Sequence, residues 1–511
     1  MKKLAISALA LMMALPAAAE DITIGVASHR NALDIRRDTS NAATGVFYAI
    51  YESLIERDPF TPGRFIPGLA TEWEMIDDTT MELKLREGVT FHNGDTMDAY
   101  DVEASLDPIF KLENPRYRNP HGKLFYNFED VEVVDDMTVR IHAKRPDVLI
   151  ETLLSSRNAG IRSLDQINDG NEDQHGLMPI GAGPYKVVSF EPGSSLVVER
   201  FDDYWGEPAP FDTVTFLRIP EVSNRITALV NGEVDIVSEI PPDQYPLIDA
   251  EESLKRIEVA YPMYHVWLFN NSHPVSSDVK LRQALSMAID YDGLAEGLWR
   301  GQGVASASWQ VPQVGETYVE GLDIFEYNPE RAKELIAESN YNGEVIEVAI
   351  YPNYYLYGTL AAQAVQEMWA EVGVTMEIKM VEVGGRTLDT DPETMVRNWS
   401  IPMYYSDIMG VMDTSLSESS WSVSRGYFDP YADPRWLEHY EGARFGQTVE
   451  ERQEAFTKLH EVFTDIAPVI PLYQPADSYA MRADIDFEIP ASLRPFTAPI
   501  RAGQISTGPT N

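Results

Sequence analysis

Apolar residues recur along the chain with two periods, and the two alternate. "ITIGVA" (22–27) reads as a first strand. "GVFYAIYESLIERD" (45–58) has helical spacing at Val46, Ile50 and Leu54, and "TMELKLREGVTF" (80–91) alternates at Met81, Leu83 and Leu85 like a half-buried strand. "SNRITALVNGEVDIV" predicts a helix capped by Ser223 or Asn224, carrying Ile226, Leu229 and Val230 and stopped at Gly232, then a short strand Val234 to Val237. Leu281, Leu285 and Ala288 share one helical face. Asn328 and Pro329 mark a helix start as cap and first residue. A helix through "TLAAQAVQEMWAEV" stops at Gly373 and gives way to alternation at Val374, Met376 and Ile378. Thr448 and Glu451 predict a capping box. Helices and strands interleave throughout, so the predicted class is α/β.

The start of the chain follows another logic. Lys2 and Lys3 precede an apolar run from Leu4 to Leu15, and Ala17 and Ala19 occupy small-residue positions before Glu20. That pattern is a secretory signal peptide over residues 1–19. Cleavage leaves 492 residues, more than one core normally serves, so two or more lobes are expected. No cysteine is present, which removes disulfides, thiolate metal sites and a cysteine nucleophile. The formal charge of −41, or −43 without Lys2 and Lys3, disfavours nucleic acid and anionic membranes as partners. It is equally a property of a well-solvated surface.

"FHNGDTMDAYDV" (91–102) gathers His92, Asp95, Asp98 and Asp101. The spacing does not fit a calcium loop, and no second histidine lies four residues from His92. Asp98 and Asp101 fit a helix start, one as cap and one three residues on, with Gly94 turning the chain before it. The expected role is scaffold. The nine histidines are scattered, no metal ligands are expected, and no nucleophile elbow, zinc helix or phosphate loop is found. No enzyme and no cofactor are expected, with a secreted hydrolase kept as a remote alternative.

Six segments in order resemble the family 5 extracellular solute-binding proteins of ABC importers. They are "LATEWEMIDDTTMELKLREGVTFHNGDTMDAYDVEASL" (69–106), "GAGPYKVVSF" (181–190), "DYWGEPAPFDTVTFLRIPEVSNRITALVNGEVDI" (203–236), "FNNSHPVSSDVKLRQALSMAIDYDGL" (269–294), "YNPERAKELIAESNY" (327–341) and "APVIPLY" (467–473). The resemblance implies the two-lobed periplasmic-binding-protein fold, type II, large class with an extra subdomain. Lobe I would comprise 20–262 and 484–511, with an inserted subdomain at about 67–188. Lobe II would be 263–483. The hinge crossings would lie near 259–264 and 479–485. The implied partners are a small solute held between the lobes, a peptide or related amino-bearing compound, and an ABC permease and ATPase. The implied protein is a periplasmic monomer, and an oligosaccharide or opine receptor is the alternative within the fold.

In this family a loop of the second lobe often reads aromatic-x-Gly-Asp followed by Asp-Pro-Asp, and in peptide receptors its first Asp pairs with the ligand's amino terminus. Here "NWSIPMYYSDIMGVMDTSL" (398–416) matches, through Tyr404, Tyr405 and Asp407. The Asp-Pro-Asp element is broken and only Asp413 remains. Asp407 is either the ligand anchor or the cap of a following turn, with Asp413 as the alternative anchor. Trp399, Met409 and Trp421 supply an apolar surround or ordinary core. Tyr354 and Tyr355, from the tyrosine-rich "YPNYYLYG", and Arg386, in a Gly-Gly-Arg loop, complete the candidate ligand-binding residues. Arg282 reads as an ion-pair partner on its helix.

Overall fold

The computed structural model describes residues 20–28, 32–36, 44–58, 61, 63–111, 122–260, 263–300, 304–305, 309–322, 325–352, 355–381, 394–403, 405, 407–418, 420–487 and 505–507. The expected signal peptide lies outside them.

Two larger sheets, a four-stranded one and two two-stranded pairs organise these residues. The seven-stranded sheet runs, edge to edge, Leu254–Ala260, Ala476–Arg482, Ile236–Ser238, Glu20–Val26, Phe211–Arg218, Ser195–Arg200, Tyr185–Glu191. Its central strand Glu20–Val26 is parallel to both neighbours, and the outer pairs are antiparallel. The six-stranded sheet runs Val304–Ala305, Val469–Gln474, Met263–Phe269, Val396–Pro402, Ile346–Ile350, Met376–Met380. A four-stranded antiparallel sheet takes Ala70–Met75, Thr80–Leu85, Thr138–Ala143 and Phe128–Asp135, and the chain is back in the seven-stranded sheet by Tyr185.

The chain changes from the seven-stranded to the six-stranded sheet between Ala260 and Met263, and returns at Pro475. The return is earlier than 479–485 because Ala476 already pairs with Ala260, and Tyr479 with Ile257.

Most predicted elements form where the pattern puts them. Asn328 accepts from Arg331 N–H at 3.0 Å and Pro329 opens the helix Pro329–Glu338. Both arms of the capping box join Thr448 and Glu451. Two differ. The helix expected over 45–58 is Thr44–Ile50, and Ile55–Arg57 is a strand. The Ile50 carbonyl leaves the helix to accept from Gly183 N–H at 2.9 Å. The helix Val222–Val230 starts one residue before Ser223, on Glu221, without a side-chain cap. Arg225 compensates from within: its guanidinium donates to the carbonyls of Ile219, Pro220, Ser238 and Glu239. Arg282, expected to pair with a carboxylate, likewise grips the carbonyls of Ser276, Ser277, Ile466 and Ala467, and burial lowers it to about 10.

The "FHNGDTMDAYDV" segment is a scaffold joint. Asp98 accepts from Tyr100 N–H (2.8 Å), and Asp101 reaches back to Asp98 N–H (2.9 Å) and across to Leu164 N–H (2.7 Å). Gly94, at φ 89°, makes the turn. Gly181 N–H donates to His92 Nδ1 (3.3 Å), which assigns the ring hydrogen to Nε2, and Nε2 donates to the Gly183 carbonyl (3.0 Å). Burial pushes the ring down to about 4, so it is neutral. Gly181 and Gly183 lie against the backbone of Ala49 and Ile50 so closely that a Cβ on either would meet a carbonyl oxygen within 2.5 Å.

Candidate functional site

The loop expected to hold a ligand's amino group is folded into the interior. Its helix-side neighbours are Pro434–Phe445 and Val449–Ile466. Asp407 is buried and accepts from Met409 N–H at 2.9 Å, capping the short turn Ile408–Gly410. Both its oxygens also face the guanidinium of Arg452, with Nη1 to Oδ2 at 2.7 Å and Nη2 on Oδ1. Asp413 is buried too. It accepts from Tyr405 Oη (2.5 Å), Arg444 Nε (3.0 Å) and Tyr440 Oη. Burial raises its carboxyl, with the nearby Asp147 charge adding to the rise. Asp407 therefore caps its turn as one reading held, but faces an internal arginine rather than water. Each carboxylate already has its own cation.

The other expected residues divide. Met409 and Tyr405 are buried. Trp399 is half-buried, with the Arg397 guanidinium 4.6 Å from its ring centre. Tyr355 is buried, its ring 4.8 Å from that of His265 and its hydroxyl accepting from Ser400 Oγ at 3.3 Å. Trp421 opens the short helix Trp421–Ser424, and its side chain is outside the described part. Tyr354, Tyr404 and Arg386 lie outside the described residues.

A different set of polar groups converges where the two larger sheets meet. Glu239 ends the strand Ile236–Ser238 in the left-handed region at φ 57°, an uncommon setting for a side-chain-bearing residue. Its N–H donates to Ser478 O at 2.8 Å, and its carbonyl is one of the four held by Arg225. Its carboxyl is raised by burial, against the opposing pull of Arg225. Asp477 is the second residue of the neighbouring strand Ala476–Arg482, and its carboxyl is raised well above the usual range by burial and by the Glu239 charge. Among the described residues no salt bridge reaches either carboxylate. Four residues beyond Glu239, Asp243 accepts from Tyr357 Oη at 2.7 Å. Tyr357 belongs to the six-stranded side and is itself left-handed at φ 59°. Burial works against the Asp243 charge, but hydrogen bonds from Gln244 and Tyr357 hold its carboxyl below the usual value. The Tyr357 ring sits 5.3 Å from Trp299, and Trp299 5.7 Å from Tyr473. This junction is thus acidic on one side and aromatic on the other.

Nothing in the sequence marks Glu239 and Asp477 as a pair, because they are brought together only by strand pairing between distant segments. Arg452 and Arg444 carried a readable signal. Arg452 lies in register with Phe456, Leu459 and Phe463, and Arg444 with Trp436 and Tyr440, on the buried faces of their helices.

The description of the bacterial extracellular solute-binding proteins, family 5 Middle, matches residues 64–422, well over half of the chain. This chain is a family 5 solute-binding protein. Such proteins bind solutes and do not transform them. A curated relative of this family 5 protein is the dipeptide-binding protein of Escherichia coli K12, 27% identical over 450 residues, covering 82% of this chain and 83% of the relative. Among solved structures, the periplasmic binding protein DppA of Helicobacter pylori in complex with the peptide STSA superposes with a TM-score of 0.84 at 19% identity, covering 95% of this chain and 98% of that one. AgaA of A. tumefaciens R10, in complex with agropinic acid, also gives a TM-score of 0.84, at 20% identity over 96% and 99% of the two chains. The periplasmic-binding-protein fold is therefore that of this family 5 chain. Among the described residues, no helix is long and apolar enough to cross a membrane.

Proposed function

We propose that this chain is the substrate-binding component of an ABC importer and that it captures a small peptide or related amino-bearing solute between two lobes. One lobe is built on the seven-stranded sheet with the small sheet as its subdomain, the other on the six-stranded sheet. The solute is delivered from the periplasm to a membrane permease by a monomer that closes around it. The single observation that carries the reading is the paired change of sheet, at 260–263 and at Pro475, in a family 5 protein. Two bodies whose chain connections are a pair of adjacent strands bend at that point and leave a crevice there.

Support for an amino group comes from the junction. Asp407 and Asp413 are saturated by Arg452, Arg444 and two tyrosines, whereas among the described residues Glu239 and Asp477 have no salt bridge: burial raises both carboxyls, and Asp477, which holds Ser478 N–H and Tyr479 Oη, also feels the Glu239 charge. A ligand ammonium placed between them relieves that repulsion through charge-assisted bonds. Tyr357 and Trp299 offer it an apolar flank, with Tyr355 and Trp399 deeper in the same lobe. The names of the E. coli and H. pylori proteins agree with a peptide-like ligand, while agropinic acid in AgaA favours an opine as the second reading.

The test is a thermal-shift screen with dipeptides, glutathione, agropinic acid and oligosaccharides, then calorimetry on Glu239→Gln and Asp477→Asn. For an amino-bearing hit, loss of one charged hydrogen bond should weaken binding by roughly tenfold to a hundredfold. Unchanged affinity in both variants would remove the amino anchor, and hits among uncharged sugars alone would move the reading to a sugar receptor. Conversion of a bound hit into product would sink the receptor reading altogether.

A further inference from the structure

Among the described residues, two ionic contacts outside the junction join the two proposed lobes, the exposed pair Arg145–Glu441 and a buried one. Arg444, on the helix Pro434–Phe445, sends Nη1 and Nη2 to the two oxygens of Asp147 at 2.7 and 2.8 Å. Both side chains are wholly buried. Asp147 follows the small-sheet strand Thr138–Ala143 and precedes the helix Ile150–Leu154. That stretch is tied to the seven-stranded body: Arg57 donates to Ser155 Oγ and Thr152 O, and Ile161 N–H to Glu52 O. Arg444 belongs to the opposite body. Its helix packs along Val449–Ile466, which in turn meets the helix Val279–Met287 over the six-stranded sheet.

Each half of this contact is complete on its own side. Asp147 accepts from Leu149 N–H (2.9 Å) and Asn127 Nδ2 (3.1 Å), both from its own body. Arg444 Nε rests on Asp413, which is fixed by Tyr405 and Tyr440. A guanidinium that lost Asp147 would keep a carboxylate, and Asp147 would keep two donors. Around the pair, Arg145 stacks 3.3 Å from the Phe445 ring centre and pairs with Glu441, and Tyr126 meets Phe445 edge-on at 6.0 Å. These groups shield the buried pair from water.

We propose that Arg444 and Asp147 form a closure latch, with Arg444 held ready by Asp413 and Asp147 by Asn127, so that lobe closure completes the bond and opening releases two already supported halves. The attraction gained on closing is offset in large part by the desolvation of both ions, which keeps the contact reversible. Arg444 and Asp147 are positioning residues that bias the closed arrangement without touching the solute. Because Asp413 and Tyr405 lie on the loop that resembles the family's ligand loop, the latch and the cleft share one supporting segment. The inference rests on the two-lobe reading and on no choice of ligand.

The test uses the full chain, which has no native cysteine to interfere. Spin labels on Met75→Cys and Val345→Cys, two exposed positions on the small sheet and the six-stranded body, report the distance between bodies by pulsed electron resonance. Two distance populations are expected, and Asp147→Asn should cut the shorter one at least threefold. Asp407→Asn, which breaks an ion pair inside one body, should lower the melting temperature without changing the populations. Should Asp147→Asn fail to fold, Arg145→Ala removes only the exposed rim and should shift the populations in the same direction by a smaller factor. Two populations whose weights neither variant alters, or no short-distance population in the unmodified protein, would overturn the latch. One unchanging distance in every variant and with every hit of the ligand screen would overturn the two-lobe reading as well.

Discussion

The carboxylate of Asp407 and the guanidinium of Arg452 meet edge to edge in the interior, one from a short turn after the strand Val396–Pro402, the other from the first turns of the helix Val449–Ile466. The pair fastens the loop to the helix. Arg452 also donates to the Ala443 carbonyl at 2.8 Å, so the preceding helix is included. Removing one member of such a pair leaves the other charge buried and alone. We expect Asp407→Ala to lose roughly 3–5 kcal/mol of stability, read from urea unfolding. A variant as stable as the parent would show that water reaches Arg452 freely.

Asp98→Ala tests the scaffold reading of the 91–102 segment. It removes the acceptor for Tyr100 N–H and leaves Asp101 in place. The expected cost is about 1 kcal/mol, with solute affinity untouched. Full stability combined with lost binding would assign this segment to the ligand instead.

Gly183→Ala should be far more damaging than its size suggests. The added methyl would stand 2.5 Å from the Ala49 carbonyl oxygen and 2.6 Å from the Ile50 carbonyl carbon, both backbone atoms that cannot turn aside. Overpacking of this kind costs about 1–3 kcal/mol or more. Thermal unfolding should fall accordingly, and an unchanged melting temperature would mean that the 181–184 loop can move away from Ile50.

His92 makes stability fall with acid. Its ring is held near 4 in the folded chain, chiefly by burial, against 6.5 ordinarily. The folded state thus binds fewer protons than the unfolded state between those values. Its contribution is whole above about pH 6.5 and is lost as the pH drops toward about 4. His265, pushed by burial to about 3, acts in the same direction. The buried carboxyls of Asp101, Asp413, Glu239 and Asp477 are raised and act in the opposite direction. Denaturation midpoints of the parent and of His92→Gln isolate the ring, because the carboxyls are common to both. The variant's curve should be flatter between pH 6.5 and 4.5, and parallel curves would refute a neutral buried His92.

Local rules made much of the fold legible. Thr448 with Glu451, Asn328 with Pro329, and the strand after the Val222–Val230 helix depend on neighbours within a few residues, and those neighbours are visible in the chain. The early end of the first helix at Ile50 is decided by Gly183, more than 130 positions away, and no window around Ile50 contains that information. The candidate site divides for the same reason. Asp407 and Asp413 stand out in their segment, but whether a carboxylate awaits a ligand depends on what faces it, and Arg452 and Arg444 arrive from other helices. Glu239 and Asp477 draw no notice in sequence, since both owe their raised carboxyls first to burial, and Asp477 also to Glu239, which strand pairing brings from a distant segment.

The strands Leu254–Ala260 and Ala476–Arg482 lie side by side, as do Met263–Phe269 and Val469–Gln474, so the chain passes between the sheets as a two-stranded ribbon. A ribbon of paired strands is stiff within its plane and pliant across it, like a leaf spring. Rotation of one body over the other bends the ribbon and need not break the ladder on either side. Slip along the ribbon would cost every rung from Leu254↔Arg482 to Ala260↔Ala476 at once. For the proposed two-lobe motion the spring admits one direction of travel, and the amides of both ladders should stay protected from hydrogen exchange throughout it.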